Sequence, residues 1–188
     1  MEIRHQMFSQ LDLNYYEDLV FAVISDLLLF LPIKLVDILP THFSRFDPAK
    51  QLYRDGIFFH QNGLNITWKN DNGEVTRTLS IMRCHGWYDT VVMMEKMFVM
   101  QPTVCFNQPL FTRVHKRKSV PVLRSWFTNK YKQHVRDIGL NPMKHTWRGD
   151  PDNTPQFLSV MYQCPANNYY FDNPWEVGSW QCPPPVRI

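Results

Sequence analysis

The sequence predicts an α+β domain, mainly helical, with a small three-stranded antiparallel sheet near its middle. Three observations predict it. Apolar residues recur at helical spacing in two segments, Leu19 to Leu31 and Val91 to Phe98. Between those segments lie short runs rich in aromatic and β-branched residues, GIFFHQNG, LNITWK and EVTRTLSIM, separated by Asn-Gly turns. The chain has 188 residues, of which 44% are hydrophobic and 14% aromatic, enough to bury one core.

The elements follow in order. Asp12 or Asn14 is placed to cap a first helix, with Glu17 and Asp18 in its first turn. Leu19, Val20, Val23, Ile24, Leu27, Leu28 and Leu31 then repeat at i, i+3/i+4, and Pro32 ends or kinks the helix. Glu17, Asp18 and Asp26 interrupt the apolar stretch from Tyr15 to Leu31, so it reads as a core helix and no membrane partner is expected. A short helical turn, IKLVDIL, precedes Pro40. The three strands come next, and then a Met-rich helix from Tyr88 to Met100, whose methionines read as core packing. Ser119 is expected to cap a further helix with Pro121 in its first turn, and Gly139 stands where a terminating glycine belongs. Beyond Arg148 the chain turns proline-rich, with Asp-Pro, Thr-Pro, Cys-Pro, Asn-Pro and a Pro-Pro-Pro run. One domain is therefore expected, with a core over 1–150 and an irregular C-terminal segment over 151–188.

The net charge of +3 is too small to argue for a nucleic-acid partner, so the distribution must. Between Arg113 and Arg136 there are eight Lys or Arg and no Asp or Glu. Lys116, Arg117, Lys118, Arg124, Lys130 and Lys132 form the candidate phosphate-facing set. The blander readings are a solvated face, or, for HKRK at 115–118, a nuclear-import patch. Cys84, Cys105, Cys164 and Cys182 are widely spaced in no metal-ligand pattern, which reads as free thiols in a reducing compartment. No signal peptide is legible in MEIRHQMFSQLD, and no acidic metal cluster or cofactor motif is present.

This order of helix, short helix, three-stranded sheet, helix, basic helix and His-x-x-Arg resembles the catalytic domain of tyrosine recombinases, the phage-integrase-like DNA strand-transfer enzymes. It is most similar to divergent eukaryotic and viral members, including those of DIRS-type mobile elements. The likeness covers roughly residues 14–150 and, more weakly, 174–188. The family's Arg-x-x-Glu step matches Lys34-Leu-Val-Asp37, and its lysine between two strands matches Lys69. Its His-x-x-Arg matches His145-Thr-Trp-Arg148, and its later His or Trp matches Trp180.

The resemblance implies duplex DNA as partner, a nuclear setting (a host nucleus for a viral source) and no cofactor or metal. It leaves a homo-oligomer on DNA open. It assigns Lys34 and Arg148 to the non-bridging phosphate oxygens, Lys69 to the leaving oxygen, and His145 and Trp180 to supporting hydrogen bonds. Two departures point to impaired strand transfer. Lys34 replaces an arginine that would bind phosphate in bidentate fashion. The nucleophilic tyrosine expected near Ile188 is not found. The family's N-terminal DNA-clamping domain has no counterpart either, so a truncated or degenerate catalytic domain is expected. Two other readings stay open: a non-enzymatic nucleic-acid binding module, and a protein-interaction module that docks through its proline-rich tail.

Overall fold

A computed structural model of the protein places one helix, α2 (Tyr16–Phe30), at its centre. The structure describes residues 3–31, 33–70, 72–83, 89–101, 108–116, 118–143 and 169–171. Expectations for Arg117, His145, Arg148 and Trp180 lie outside the described residues. The sequence pattern suggests a one-sided stripe on α2, yet Leu19, Val20, Phe21, Ala22, Val23, Ile24 and Leu27 are all buried. A helix apolar on all sides belongs in the middle of a core rather than at its edge. A short helix that the sequence reading did not anticipate, α1 (Ile3–Phe8), precedes it and buries Met7 and Phe8.

Neither expected cap closes the start of α2. Its N-cap is Tyr15, with no side-chain bond. The Asp12 carboxylate instead accepts the Asn14 amide at 2.9 Å, forming a local turn. Asn14 Oδ1 in turn accepts from Lys96 Nζ at 2.7 Å, across to α4 (Thr90–Met100). The two residues chosen as caps are used one step earlier and one element away. Helix α4 is capped by Asp89, whose carboxylate accepts the Val91 and Val92 amides. Thr90 donates to the fully buried Asp26 carboxyl at 2.9 Å, fixing α4 against α2. Burial pushes that carboxyl well above its ordinary range, the Thr90 bond opposes the shift, and nearby Asp89 adds to it.

The class is α+β, with the expected antiparallel strands β1 (Ile57–His60), β2 (Gly63–Lys69) and β3 (Val75–Met82). Leu64, Ile66 and Trp68 of β2 and Leu79 and Ile81 of β3 turn their side chains into the core. A fourth strand, β6 (Tyr169–Phe171), pairs with β3, so the segment expected to be irregular contributes to the sheet. Proline density breaks up 151–188 in sequence, but a three-residue aromatic run still suffices to extend an edge.

Gly63 shows how closely the strands fit. A Cβ there would lie 2.0 Å from the Ile81 carbonyl oxygen, a backbone atom that cannot swing aside. Gly63→Ala is expected to cost about 2–3 kcal/mol through forced strand separation. Thermal denaturation checks it: a melting temperature equal to wild type contradicts this register.

Downstream, β4 (Thr112–His115) and β5 (Lys118–Pro121) form a separate two-stranded hairpin before α5 (Arg124–Asp137). The expected helix start at Ser119 and Pro121 is therefore corrected: both residues belong to β5, and the N-cap is Leu123. The residue before a proline avoids helical backbone, and Pro121 tolerates a strand end because it need not donate there. Val114, Val120 and Val122 add β-branched weight. At the other end Gly139, at φ +78°, terminates α5 as expected. Its amide bonds Arg136 O and that of Leu140 bonds Val135 O, a paired helix-terminating arrangement.

Candidate nucleic-acid interface

The cationic segment divides into residues that face solvent and residues engaged in the fold. Arg124 is engaged. Its amide donates to Pro40 O at 3.1 Å and its Nε to Leu39 O at 2.8 Å. It satisfies carbonyls left open at the end of α3 (Leu35–Ile38). Lys130 is engaged as well. Its Nζ lies 2.6 Å from Asp18 Oδ1 on α2, with only 18% and 19% of the two side chains exposed. The same ammonium sits 5.3 Å from the Trp126 ring centre and 5.9 Å from that of Phe21.

His134 stands one helical turn beyond Lys130, its ring 4.9 Å from Phe21. Neither ring nitrogen finds a hydrogen-bond partner among the described residues. Desolvation holds its pKa below the ordinary imidazole value, Lys130 pushes the same way, and Asp18 and Asp137 oppose. The unfolded chain therefore binds the proton more readily. The stability from neutral His134 is complete above about pH 6.5 and is lost as pH falls toward the depressed folded value. His134→Phe, which keeps the ring against Phe21, is expected to flatten the melting temperature between pH 6.5 and pH 5. An unchanged pH profile contradicts the assignment.

The solvent-facing cations are Lys116 and Lys118 on the hairpin, with exposed His115 beside them, and exposed Arg136 and half-buried Lys132 on α5. Lys132 and Arg136 are four apart and share a helix face. His115 pairs with Lys118, so two residues connect the strands, of which Lys116 is described. Lys116 occupies left-handed backbone, φ +49°. Two-residue turns of this kind favour Asn or Gly, and a lysine there costs about 1 kcal/mol. Lys116→Asn is thus expected to raise stability by up to about 1 kcal/mol while weakening any phosphate contact. Melting temperature and duplex affinity should move in opposite senses, and a joint fall of both contradicts the reading.

The hairpin is anchored at its base. Gln101 Oε1 accepts from Thr112 Oγ1 at 2.7 Å and its Nε2 donates to Ser119 Oγ at 3.2 Å. One side chain at the end of α4 thereby holds both strands. The sequence reading missed Gln101, and it named Arg113 and Arg136 only as bounds of the cationic cluster and His115 only within HKRK. No local signal marked the hairpin, because its connection lacks Asn or Gly and Ser119-Val-Pro121 fits a helix start equally well.

The residues matched to a recombinase centre are less concentrated. Lys34 is the exposed N-cap of α3, and the Asp37 carboxylate accepts the Lys34 amide at 2.8 Å. The cation–carboxylate step therefore builds a helix start. Lys69 ends β2 at a register shift between Trp68 and Lys69, just before a turn organised by the Asn70 side chain. Among the described residues, no hydrogen bond or ion pair joins Lys34 and Lys69. His145, Arg148 and Trp180 lie outside the described residues. Among the described residues no group of His, Cys, Asp or Glu could hold a metal ion, and no helix is long and apolar enough to cross a membrane. No protein-family model, curated protein or solved structure matches the chain.

Proposed function

We propose that this chain binds duplex DNA through the backbone phosphates, and that its recombinase-like order of elements serves binding rather than strand transfer. The observation that carries the reading is the anchored hairpin whose solvent-facing end bears His115, Lys116 and Lys118, followed directly by a helix that adds Lys132 and Arg136. Phosphate attraction needs cations that are exposed, clustered and not already paired with carboxylates. Lys130 drops out of the footprint because Asp18 pairs it, and Arg124 because its Nε is spent on Leu39 O; exposed Lys116, Lys118 and Arg136 and half-buried Lys132, which show no carboxylate partner among the described residues, remain.

Strand transfer asks for more. Cationic donors must converge on one phosphate, and a bidentate arginine is the donor best suited to it. Lys34 offers a point charge on an exposed helix start, which favours the binding-only reading. A nuclear setting and assembly on DNA remain part of the same proposal. A nicked suicide duplex tests both halves. The expected result is a retarded band on a native gel that releases free DNA under denaturing conditions. The absence of a native complex at low salt overturns DNA binding. A complex that survives denaturation shows a covalent adduct and overturns the binding-only reading.

A further inference from the structure

Taking the DNA-binding reading as its basis, the geometry points to one face of the β4–β5 hairpin lying in the major groove of B-form DNA and contacting guanine edges through Lys118. The two faces of the hairpin are not equivalent. The register pairs Thr112 with Pro121 and Val114 with Ser119 on one face, and Arg113 with Val120 and His115 with Lys118 on the other. Gln101 bonds Thr112 and Ser119, so the first face turns toward the end of α4. The second face therefore turns away from α4. It carries Arg113, His115 and Lys118, three donors on one side of a short ribbon, with no carboxylate between 113 and 136.

Dimensions decide which groove can take it. Thr112 is buried, whereas Val114, His115, Lys116, Lys118 and Ser119 are exposed. The projecting part is about two residues per strand plus the turn, roughly 7–10 Å long. Its two strands stand about 4.8 Å apart before side chains are added. The major groove of B-DNA, about 12 Å wide and 8.5 Å deep, admits such a ribbon, and the minor groove, about 6 Å wide, does not. The major groove of A-form RNA is too narrow to be read by side chains.

The chemistry of the face then selects the contact. A lysine ammonium donates to the O6 and N7 acceptors that guanine presents in the major groove. Lys118 projects beside His115 from the turn end of the outward face, where it enters a groove first, while Lys116, within the turn itself, is placed for a phosphate. Half-buried Arg113, whose Nε is buried with no hydrogen-bond partner among the described residues, lies at the base of the face and reaches outward less than Lys118.

Fluorescence anisotropy of the full chain tests this with three probes of one GC-rich sequence: duplex DNA, the same DNA with 7-deazaguanine throughout, and duplex RNA. The 7-deaza probe keeps every phosphate and removes the N7 acceptor. Wild type is expected to bind DNA at least about tenfold more tightly than RNA, and to lose about fivefold on the 7-deaza probe. Lys118→Ala should bind both DNA probes alike. Lys116→Ala should keep the discrimination and lower the salt slope by about one. Binding to plain DNA with equal affinity for all three probes overturns groove reading and leaves phosphate binding standing. RNA bound as well as or better than DNA overturns it too. No binding to any probe at low salt overturns the groove contact together with the reading it rests on.

Discussion

Replacing Lys116 and Lys118 together with glutamate is expected to lower duplex DNA affinity about a hundredfold at low salt and leave the fold intact. Two exposed cations become two anions at the projecting end of the hairpin, so attraction and counterion release are both reversed. Neither side chain contributes to the core, and surface substitutions of this kind change stability by no more than about 0.5 kcal/mol. Glutamate at 116 keeps the left-handed strain that lysine already bears. Affinity and melting temperature must be measured on the same preparation. A hundredfold loss with an unchanged melting temperature assigns the loss to the interface. An unchanged affinity removes the hairpin from the DNA footprint.

Lys130→Glu is expected to do the reverse: damage the fold first and affect DNA only through it. The substitution sets a carboxylate against Asp18, in a site where less than a fifth of either original side chain is exposed. It also removes the ammonium from beside the Trp126 and Phe21 rings. Disrupting a buried pair leaves an uncompensated charge and costs about 3–5 kcal/mol, with partial exposure favouring the lower end. At about 3 kcal/mol the melting temperature should drop roughly 6–12 °C for a chain of this size. Adding Asp18→Asn removes the repulsion and should recover part of the drop. A stable Lys130→Glu protein with weakened DNA binding contradicts the structural role and returns Lys130 to the interface.

That contrast shows what the sequence could and could not convey. Charge clustering from Arg113 to Arg136 was legible, but Lys130 and Lys132 look alike in a string of letters. Their roles separate only when α5 is rotated so that Phe127 meets Phe21, ring centres 5.2 Å apart, which carries Lys130 onto Asp18. The antiparallel sheet was legible because Asn-Gly turns and alternation are local signals. The glycine at 139 was legible for the same reason: left-handed backbone at a helix end favours it. The hairpin was not, because the sequence between its strands carries no Asn or Gly, and Ser119-Val-Pro121 satisfies the pattern of a helix start equally well. The burial of α2 on all sides depends on α4 and α5 packing around it, which no periodicity within Leu19 to Leu31 encodes. Of the proposed recombinase-like set, Lys34 and Lys69 were singled out by the family resemblance alone, and the structure gives each a local place in a helix start or a strand end.

The most direct test is the affinity of the wild-type chain for an unrelated duplex across a salt series, repeated with the Lys116→Glu, Lys118→Glu protein. Lys116, Lys118, Lys132 and Arg136 together predict a log–log slope of about −3 to −4 for wild type, shallower by about two in the variant. Absence of binding at low salt, or a slope that the hairpin substitutions leave unchanged, contradicts a phosphate footprint on this surface.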